Sequence, residues 1–362
     1  MKNIFKIASL LVAAVMLLSC EKEQVVTDFK LVTDNDVIMS DGNDAATLRV
    51  ILRGKDVTAE SVIYDEKNQP LTLVDGKFTT TKEGEYKFWA QCGTFMTYDS
   101  KADDNGLLTV RAISKQIPTV TPDPQPANTS FVHRAFLTQY TGTECGYCPY
   151  MIKIIRELMA DNTIPEKAVL AAVHSYSNSD PAYIAAPKVG SYPFMHVNLQ
   201  DTFNHSSGSA PLYALVNGSV ASAAKAGISV NPKLYDDGTL VVKVSVKAAA
   251  EGTYRVGAWL LEDGIYGQQN DYDNIGDTSF NEHENCVRLI DSRYAGSWAG
   301  KYLGPINVGE TAQKTFVMSV KNKWKRENLH LAVIVSSEEK NGVVVCNAVD
   351  VPIDVPTPFE YK

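Results

Sequence analysis

The stretch TGTECGYCPYM, residues 141–151, places Cys145 and Cys148 at the junction of two different patterns. The preceding residues, FVHRAFLTQY, are strand-like, whereas PYMIKIIRELMAD carries apolar residues at helical spacing. A second apolar strand, KAVLAAVHSY, comes next. Strand, helix and strand in this order predict a parallel pair of strands joined by a crossover helix. We therefore expect residues 130–228 to form an α/β domain.

The two cysteines of this stretch suggest thiol chemistry. Unpaired N–H groups and the dipole at a helix N-terminus stabilise an anion, which favours the thiolate form of Cys145. Cys145 would attack a substrate disulfide, and Cys148, one helical turn later, would resolve the mixed disulfide. An inert, permanently oxidised bridge is a second interpretation. A zinc half-site is a third, but the sequence has no other CxxC, CxH or HxxxH cluster, so we predict neither a metal nor a cofactor.

The N-terminus, MKNIFKIASLLVAAVMLLSC, combines a basic start with a short apolar run. That run cannot span a bilayer and is typical of a secretory signal peptide. Residues 17–20, LLSC, resemble the lipobox of bacterial lipoproteins, in which the peptide is cleaved before the cysteine and the cysteine is lipidated. The resemblance implies a signal peptide over residues 1–19, a lipidated N-terminus over 20–24 and a membrane anchor on Cys20.

The charge of the mature chain limits its partners. The leader over residues 1–19 contains two lysines and no acid, so its removal leaves 32 basic and 42 acidic residues and a net charge of −10. Nucleic-acid binding depends on neutralising phosphates with basic residues, so we predict no nucleic-acid partner. The chain is also too long for one hydrophobic core.

The segments on either side of the α/β domain have β patterns. Residues 25–113 contain short strand-like runs separated by Asp-Gly and Glu-Gly turns, which predict an Ig-like β-sandwich. Residues 114–129 include four prolines and predict an extended linker. From residue 229 to 362, alternating runs such as VVKVSV predict a C-terminal β-sandwich.

The central segment resembles the thioredoxin fold, through the strand, the CxxC helix, the next strand and Pro193 in SYPFMHV. The resemblance implies a cis proline at Pro193 that faces the cysteine pair and lets a substrate chain pair beside it. The order of lipobox, Ig-like domain, YTGTECGYCP and β domain also resembles the twenty-eight-kilodalton outer membrane protein family of Bacteroidetes lipoproteins. Thioredoxins usually carry Trp where this chain has Glu144, whose charge opposes thiolate formation. The segment DTFNHSSGS predicts no second strand for the usual terminal hairpin.

Other residues are candidates with weaker patterns. His174 ends a predicted parallel strand, where sites usually form, and could assist proton transfer; the alternative is that it caps the strand. In DYDNIGDTSFNE, Asp271, Asp273 and Glu282 are spaced like calcium ligands, although Ile275 occupies a ligand position and a solvated loop is the default interpretation. Cys286 and Cys346 could form a disulfide or stay as buried thiols, and Cys92 is predicted to be a free thiol.

Two functions follow from these patterns. The first is a thiol-disulfide oxidoreductase or isomerase that acts on extracytoplasmic protein disulfides. The second is a non-enzymatic surface lipoprotein, a binding or adhesion module with an unknown surface partner and the thioredoxin-like fold as a scaffold. Both place the protein at the outer membrane, lipid-anchored through Cys20. Glu21 and Glu23 resemble the surface-export tags of Bacteroidetes lipoproteins, which favours the second.

Overall fold

The computed structural model describes residues 28–98, 106–164, 166–186, 189–292 and 298–362. The chain divides into two compact units, one up to Ser114 and one from Lys115 onward. The predicted signal peptide and Cys20 lie outside the described residues. Within the described ranges, no helix has the length and apolar character needed to cross a membrane.

The first unit is built from two β-sheets around one core. Its described strands are β1 (Phe29–Thr33), β2 (Val37–Met39), β3 (Ala46–Leu52), β4 (Lys55–Asp56), β5 (Val62–Asp65), β6 (Lys77–Phe78), β7 (Gly84–Cys92), β8 (Phe95–Met96) and β9 (Leu108–Ile113). One sheet has the order β1-β3-β4 with β6 on β3, and the other has β2-β9-β7-β5 with β8 on β7. Apolar residues at alternating positions, such as Leu48 and Val50, share a core with Ile63, Phe88 and Val110 of the other sheet.

The second unit contains both α-helices of the described residues, together with most of the strands. Its elements are β10 (Ala135–Thr141), α1 (Cys148–Ala160), β11 (Ala168–His174), β12 (Phe194–Val197), β13 (Asp201–Phe203), α2 (Ala210–Val220), β14 (Ala226–Leu234), β15 (Thr239–Ala248), β16 (Gly252–Glu262), β17 (Ile265–Tyr266), β18 (Glu282–His283), β19 (Cys286–Asp291), β20 (Lys301–Ile306), β21 (Thr311–Ser319), β22 (Leu329–Glu339) and β23 (Gly342–Pro352).

One large sheet runs through this unit. The described strands follow the order β13-β12-β10-β11-β19-β16-β22-β23, with β20 also paired to β16. The strands β10 and β11 are parallel, as the sequence predicted, and β11 pairs in parallel with β19 through Ala172 and Cys286. Strands from both sides of the predicted domain boundary at residues 228 and 229 therefore share one sheet.

Both helices pack on one face of this sheet. The helix α1 presents Met151, Ile155 and Leu158 to Leu137 of β10, and its N-terminal Pro149 is tolerated because N–H groups of a first turn have no partner within the helix. Leu212 of α2 joins the same core. The opposite face of β10 and β11 packs against β16, β22 and β23, through residues such as Trp259, Ile334 and Val345.

A hairpin of β12 and β13 corrects one sequence-based prediction. No second strand was expected after SYPFMHVNLQ, but β13 pairs antiparallel with β12. The turn between them is closed by the N–H of Gln200, which donates to the carbonyl of Val197 at 3.1 Å. Asn198 and Leu199 both have positive φ values, 55° and 56°, as the tight turns of β-hairpins require. The prediction was wrong because Leu199 is an unusual residue for such a turn.

The remaining strands form a second layer. A three-stranded sheet, β14-β15-β21, packs on the β16, β22 and β23 part of the large sheet. The alternation predicted in VVKVSV is visible here, because Val242 and Val244 are buried in the shared core beside Phe316 and Val256. The chain is thus rich in β-sheet and has few helices among its described residues.

Most of the predicted linker belongs to the second unit and lies against its strands. Residues 115–129 form neither helix nor strand. The Nζ atom of Lys247, a residue that is only 1% exposed, lies 2.9 Å from Oδ2 of Asp123 and donates to the carbonyl of Pro126 at 2.6 Å. Asn231 donates to the carbonyl of Thr119 at 2.9 Å. The segment is therefore fixed along this unit by polar contacts.

Candidate functional site

Cys145 and Cys148 form a disulfide in the loop between β10 and α1. Their Cα atoms are 5.4 Å apart. The helix begins at Cys148, and Cys145 lies in the turn before it, with its carbonyl accepting the N–H of Cys148 at 3.1 Å. Both side chains are buried, with Cys145 3% exposed and Cys148 fully covered. A disulfide in this position closes the strand-to-helix connection.

Pro193 precedes the strand that flanks this connection. The Tyr192–Pro193 peptide bond is cis. Strand β12 runs antiparallel to β10 with Phe194 opposite Tyr140. This register puts Pro193 next to Thr141, the last residue of β10 before the disulfide loop.

His174 and Asp180 support the disulfide loop from the side of β11. His174 is opposite Thr141 in the β10–β11 register and is 1% exposed. Its Nδ1 atom is 2.9 Å from Oδ2 of Asp180, and the same oxygen accepts the N–H of Thr143 at 2.7 Å. Burial raises the pKa of Asp180, but the hydrogen bond and charge of His174 and the N–H groups of Thr143 and Ala182 outweigh it and lower that pKa to about 2. Asp180 could not be predicted from the sequence, because it lies in a polar loop without a recognisable motif.

The other side of His174 faces a buried thiol. Its Nε2 atom is 3.6 Å from Sγ of Cys286, and its ring packs edge-on to that of His283, with centroids 4.9 Å apart. Burial raises the pKa of the Cys286 thiol well above its ordinary value, and burial lowers the pKa of His283. Cys286 is therefore a neutral thiol under ordinary conditions. The two ring nitrogens of His174 thus face Asp180 and Cys286.

The suggested disulfide between Cys286 and Cys346 is absent from the structure. Both cysteines are free and buried. Cys286 packs with Ala182 and Ile265, whereas Cys346 belongs to the core between the two sheets of the C-terminal part. The two thiols lie in separate cores, and spacing along the sequence could not reveal this. Cys92 is free and partly buried.

A segment from far along the chain crosses the disulfide loop. We call residues 267–281, between β17 and β18, the strap. The side-chain amide of Gln269 is buried and donates to the carbonyls of Cys145 at 2.9 Å and Thr143 at 3.2 Å. The N–H of Asn270 donates to the carbonyl of Thr143 at 2.7 Å, and that of Tyr272 donates to Gly146 at 3.1 Å. No local sequence pattern indicates these contacts, so they could not be predicted.

The strap also contains the calcium candidate. Oδ2 of Asp271 accepts the N–H of Gly276 at 2.7 Å, and Asp273 accepts the hydroxyl of Tyr150 at 2.9 Å. Glu282 lies on β18 and is exposed. The described ranges contain no group of three or more His, Cys, Asp or Glu side chains placed to hold a metal ion. The structure therefore does not bring these three acidic residues together, and two of them bind protein groups instead.

Glu144, the residue between Thr143 and Cys145, points away from the core. Its side chain is exposed and accepts a hydrogen bond from the hydroxyl of Ser179. Ser179 immediately precedes Asp180, so the loop that supplies Asp180 also binds Glu144. The side chain of Glu144 is thus occupied at the rim of the site.

A cavity of about 240 Å³ lies between α1 and the end of the strap. Apolar side chains of the helix, including Ile155 and Met159, form one wall. His174, Phe280 and His283 are among the residues of the other walls. The cavity shares His174 with the network beside the disulfide loop.

A family model described as outer membrane protein Omp28 matches residues 181–354, just under half of the chain. Residues 181–354 are therefore similar to this family. The outer-membrane location predicted from the sequence is confirmed by this match. The matched residues include Pro193 and the strap, and they begin after Cys145 and Cys148.

A solved structure, that of HBP35, adds a likeness in fold. HBP35 of Porphyromonas gingivalis is 14% identical, covers 64% of this chain and 78% of its own, and has a TM-score of 0.51. A domain of the outer membrane lipoprotein Omp28 from Porphyromonas gingivalis is 18% identical over 36% of this chain and 89% of its own, with a TM-score of 0.23. None of the curated proteins matches this sequence.

Proposed function

We propose that this protein, whose residues 181–354 are similar to the Omp28 family, carries a thioredoxin-like segment over residues 130–228 and exchanges disulfides with extracytoplasmic proteins through Cys145 and Cys148. One observation carries the proposal. The disulfide bridges the junction of a buried parallel strand and a helix, and the neighbouring strand, antiparallel to the first, begins directly after Pro193. This combination supports a site where a substrate chain can approach the sulfur atoms.

The oxidised pair can accept electrons from a protein dithiol. A substrate thiolate attacks Sγ of Cys145, the bond to Cys148 breaks, and Cys148 leaves as a thiolate. The second substrate thiolate then attacks the substrate sulfur of the mixed disulfide and releases Cys145. The substrate gains a disulfide, while Cys145 and Cys148 receive two electrons and two protons. The reverse sequence reduces a substrate disulfide, and stopping at the mixed disulfide permits isomerisation.

In this mechanism His174 and Asp180 act on the loop rather than on sulfur. The Asp180 carboxylate fixes the N–H of Thr143, two residues before Cys145, and His174 holds the carboxylate in place. The role predicted for His174, assistance in proton transfer, therefore becomes a positioning role in this proposal. Lipidation of Cys20 would tether the site to the outer membrane.

A non-enzymatic binding lipoprotein is the second candidate. Burial of both cysteines and the exposed charge of Glu144 beside Cys145 favour it. In that case the thioredoxin-like segment is a scaffold, and the two-sheet unit over residues 28–113, which we interpret as Ig-like, would carry the contacts to a surface partner.

Trapping of mixed disulfides separates these candidates. Cys148→Ala removes the resolving thiol. The Cys145 thiolate of the full-length variant should attack substrate protein disulfides in the outer-membrane fraction and stay bound to one sulfur as a mixed disulfide, while the other substrate sulfur leaves as a thiolate. The matched control is Cys145→Ala with Cys148→Ala, which should form no adducts at this site. If the single variant yields no more adducts than the double variant, the exchange function is excluded.

A further inference from the structure

The strap crosses the disulfide loop as a cover anchored at its base. At the base, the N–H of Gly267 donates to the carbonyl of Asn281 at 2.9 Å, and Phe280 is buried. Strands β17 and β18, which flank the strap in the sequence, pair with each other. The part between, residues 270–279, we call the tip.

The tip binds the disulfide loop mainly through its backbone. Asn270 and Tyr272 both donate their N–H groups to loop carbonyls, those of Thr143 and Gly146. Donation from alternate residues is how an extended strand binds a neighbouring chain. The side chain of Asn270 adds a bond to the carbonyl of Glu144 at 3.3 Å. The tip thus occupies carbonyl groups that an extended polypeptide could also bind.

The ring of Tyr272 lies over Gly146, one of the two residues between the cysteines. A Cβ atom at Gly146 would lie 2.5 Å from this ring, so only glycine fits beneath it without a shift. The ring also packs edge-on to Tyr147, with centroids 5.3 Å apart. A ring in this position agrees with the low solvent exposure of Cys145 and Cys148.

Side chains of α1 hold the outer edge of the tip. The hydroxyl of Tyr150 donates to Asp273, and the guanidinium of Arg156 donates to the carbonyl of Ser279 at 2.8 Å. Arg156 also lies over the ring of Phe280, 4.4 Å from its centroid. These contacts join the tip to the helix that starts at Cys148.

The tip has little apolar anchorage. Among residues 270–279, all of which the structure describes, none is buried. The side-chain hydrogen bonds that join it to Glu144, Tyr150 and Arg156 lie at the surface, where water can replace them at low cost, whereas the base has the buried Phe280. Segments with few buried apolar contacts and exposed hydrogen bonds open at low free energy.

We propose that the tip of the strap is a displaceable cover. In the closed form it shields the bond between Cys145 and Cys148, and it moves aside before an extended segment of a protein substrate reaches Cys145. The N–H groups of that segment then replace those of Asn270 and Tyr272 on the loop carbonyls. This inference rests on the proposed exchange function, but its test uses a small reductant and does not require a protein substrate.

The test is the rate at which dithiothreitol reduces the disulfide in the full chain. Each reaction converts one dithiothreitol to its cyclic disulfide and gives Cys145 and Cys148 one proton each. The double variant Tyr272→Ala, Arg156→Ala removes the ring over Gly146 and the hydrogen bond of Arg156 to Ser279. Reduction of the disulfide should therefore become about tenfold faster. Tyr266→Ala, which changes an exposed tyrosine of β17 just before the strap, is the matched control and should react like the wild type. Alkylation of the released thiols and mass spectrometry give the rates.

A second measurement covers the case in which the double variant is destabilised as a whole. Hydrogen exchange on the wild-type protein should show the amides of Asn270 and Tyr272 exchanging much faster than those of strand β16. The proposal of a displaceable cover would be refuted by either of two results. One is a folded double variant whose disulfide is reduced at the wild-type rate. The other is protection of the tip amides from exchange equal to that of the β16 amides. Faster reduction without adducts in the Cys148→Ala experiment would leave the cover intact and refute the exchange function alone.

Discussion

Oδ2 of Asp180 lies 2.9 Å from Nδ1 of His174 and also accepts the N–H of Thr143, so one carboxylate joins the end of β11 to the disulfide loop. Its other oxygen accepts the N–H of Ala182 at 2.8 Å. All of these groups are buried, so none of the hydrogen bonds can be exchanged for water without rearrangement. The shape of the loop around Cys145 therefore depends on a charged residue outside the CxxC motif.

Asp180→Ala should lower the free energy of unfolding by about 3 kcal/mol at pH 7, because it leaves His174 and the N–H of Thr143 without a partner in the core. The pKa of Asp180 is lowered from 3.8 to about 2, so its stabilisation is present above pH 4 and is lost as the pH falls towards 2. Urea unfolding at several pH values checks this. Asp201→Asn, at an exposed position of β13, is the control; equal stability of wild type and Asp180→Ala at pH 7 would contradict the account.

His330 should make stability depend on alkaline pH. It lies 2.7 Å from Oδ1 of Asp350 and forms an ion pair with Asp263 at 3.3 Å. Burial lowers its pKa, but the two carboxylates outweigh burial and raise that pKa from 6.5 to about 9. A raised histidine pKa stabilises the fold fully below pH 6.5, and the stabilisation is lost as the pH rises through 9.

We therefore expect the free energy of unfolding to fall between pH 6.5 and 9, by no more than about 3 kcal/mol for a shift of this size. His330→Gln should be less stable than the wild type at pH 6 and should lose this part of the pH dependence. Thermal or urea unfolding across the range measures both. A wild-type protein with constant stability over this range would show that the carboxylates do not hold the charged imidazole.

Lys247→Ala should release the segment over residues 115–129 from strand β15. The buried ammonium group binds Asp123 and the carbonyls of Gln125 and Pro126, so its removal takes away the donor that these three groups share. Limited proteolysis should then cut this segment faster. Lys233→Ala, which removes a surface ion pair with Asp354, should change neither stability nor cleavage appreciably. Equal cleavage of Lys247→Ala and wild type would mean that other contacts hold the segment.

Alkylation of the cysteines checks directly which of them are free and which form the disulfide. In denaturant without reductant, Cys92, Cys286 and Cys346 should react with an alkylating reagent, whereas Cys145 and Cys148 should react only after reduction. Peptide mapping by mass spectrometry assigns each site. A peptide pair joined through Cys286 and Cys346 would contradict their placement in separate cores.

Local sequence pattern predicted the centre of the fold well. Apolar runs and helical spacing are local properties, so β10, α1 and β11 could be found from the residues around TGTECGYCPYM. The pairing of β11 with β19 could not, because Ala172 and Cys286 meet only in the folded sheet. The hairpin strand β13 was missed for a local reason, the left-handed turn at Leu199.

The residues of the candidate site also fall into those that the sequence could reveal and those that it could not. Cys145, Cys148 and Pro193 could be named from motif and resemblance, and the structure gives the disulfide and the cis peptide bond. Asp180 and Gln269 could not, because their importance comes from hydrogen bonds to a loop distant in the chain. The acidic strap residues suggested calcium ligands, since spacing alone does not show that Asp273 binds Tyr150.

The reduction potential of the Cys145–Cys148 pair tests the exchange function most directly. Equilibration of the full chain with glutathione or dithiothreitol buffers, followed by alkylation, gives the fraction oxidised at each potential. For a working exchange site we predict a potential above about −300 mV, in the range of catalytic pairs, together with reduction of insulin by the reduced protein. A potential well below about −300 mV, with no turnover of insulin, would show a structural bridge and contradict the exchange function.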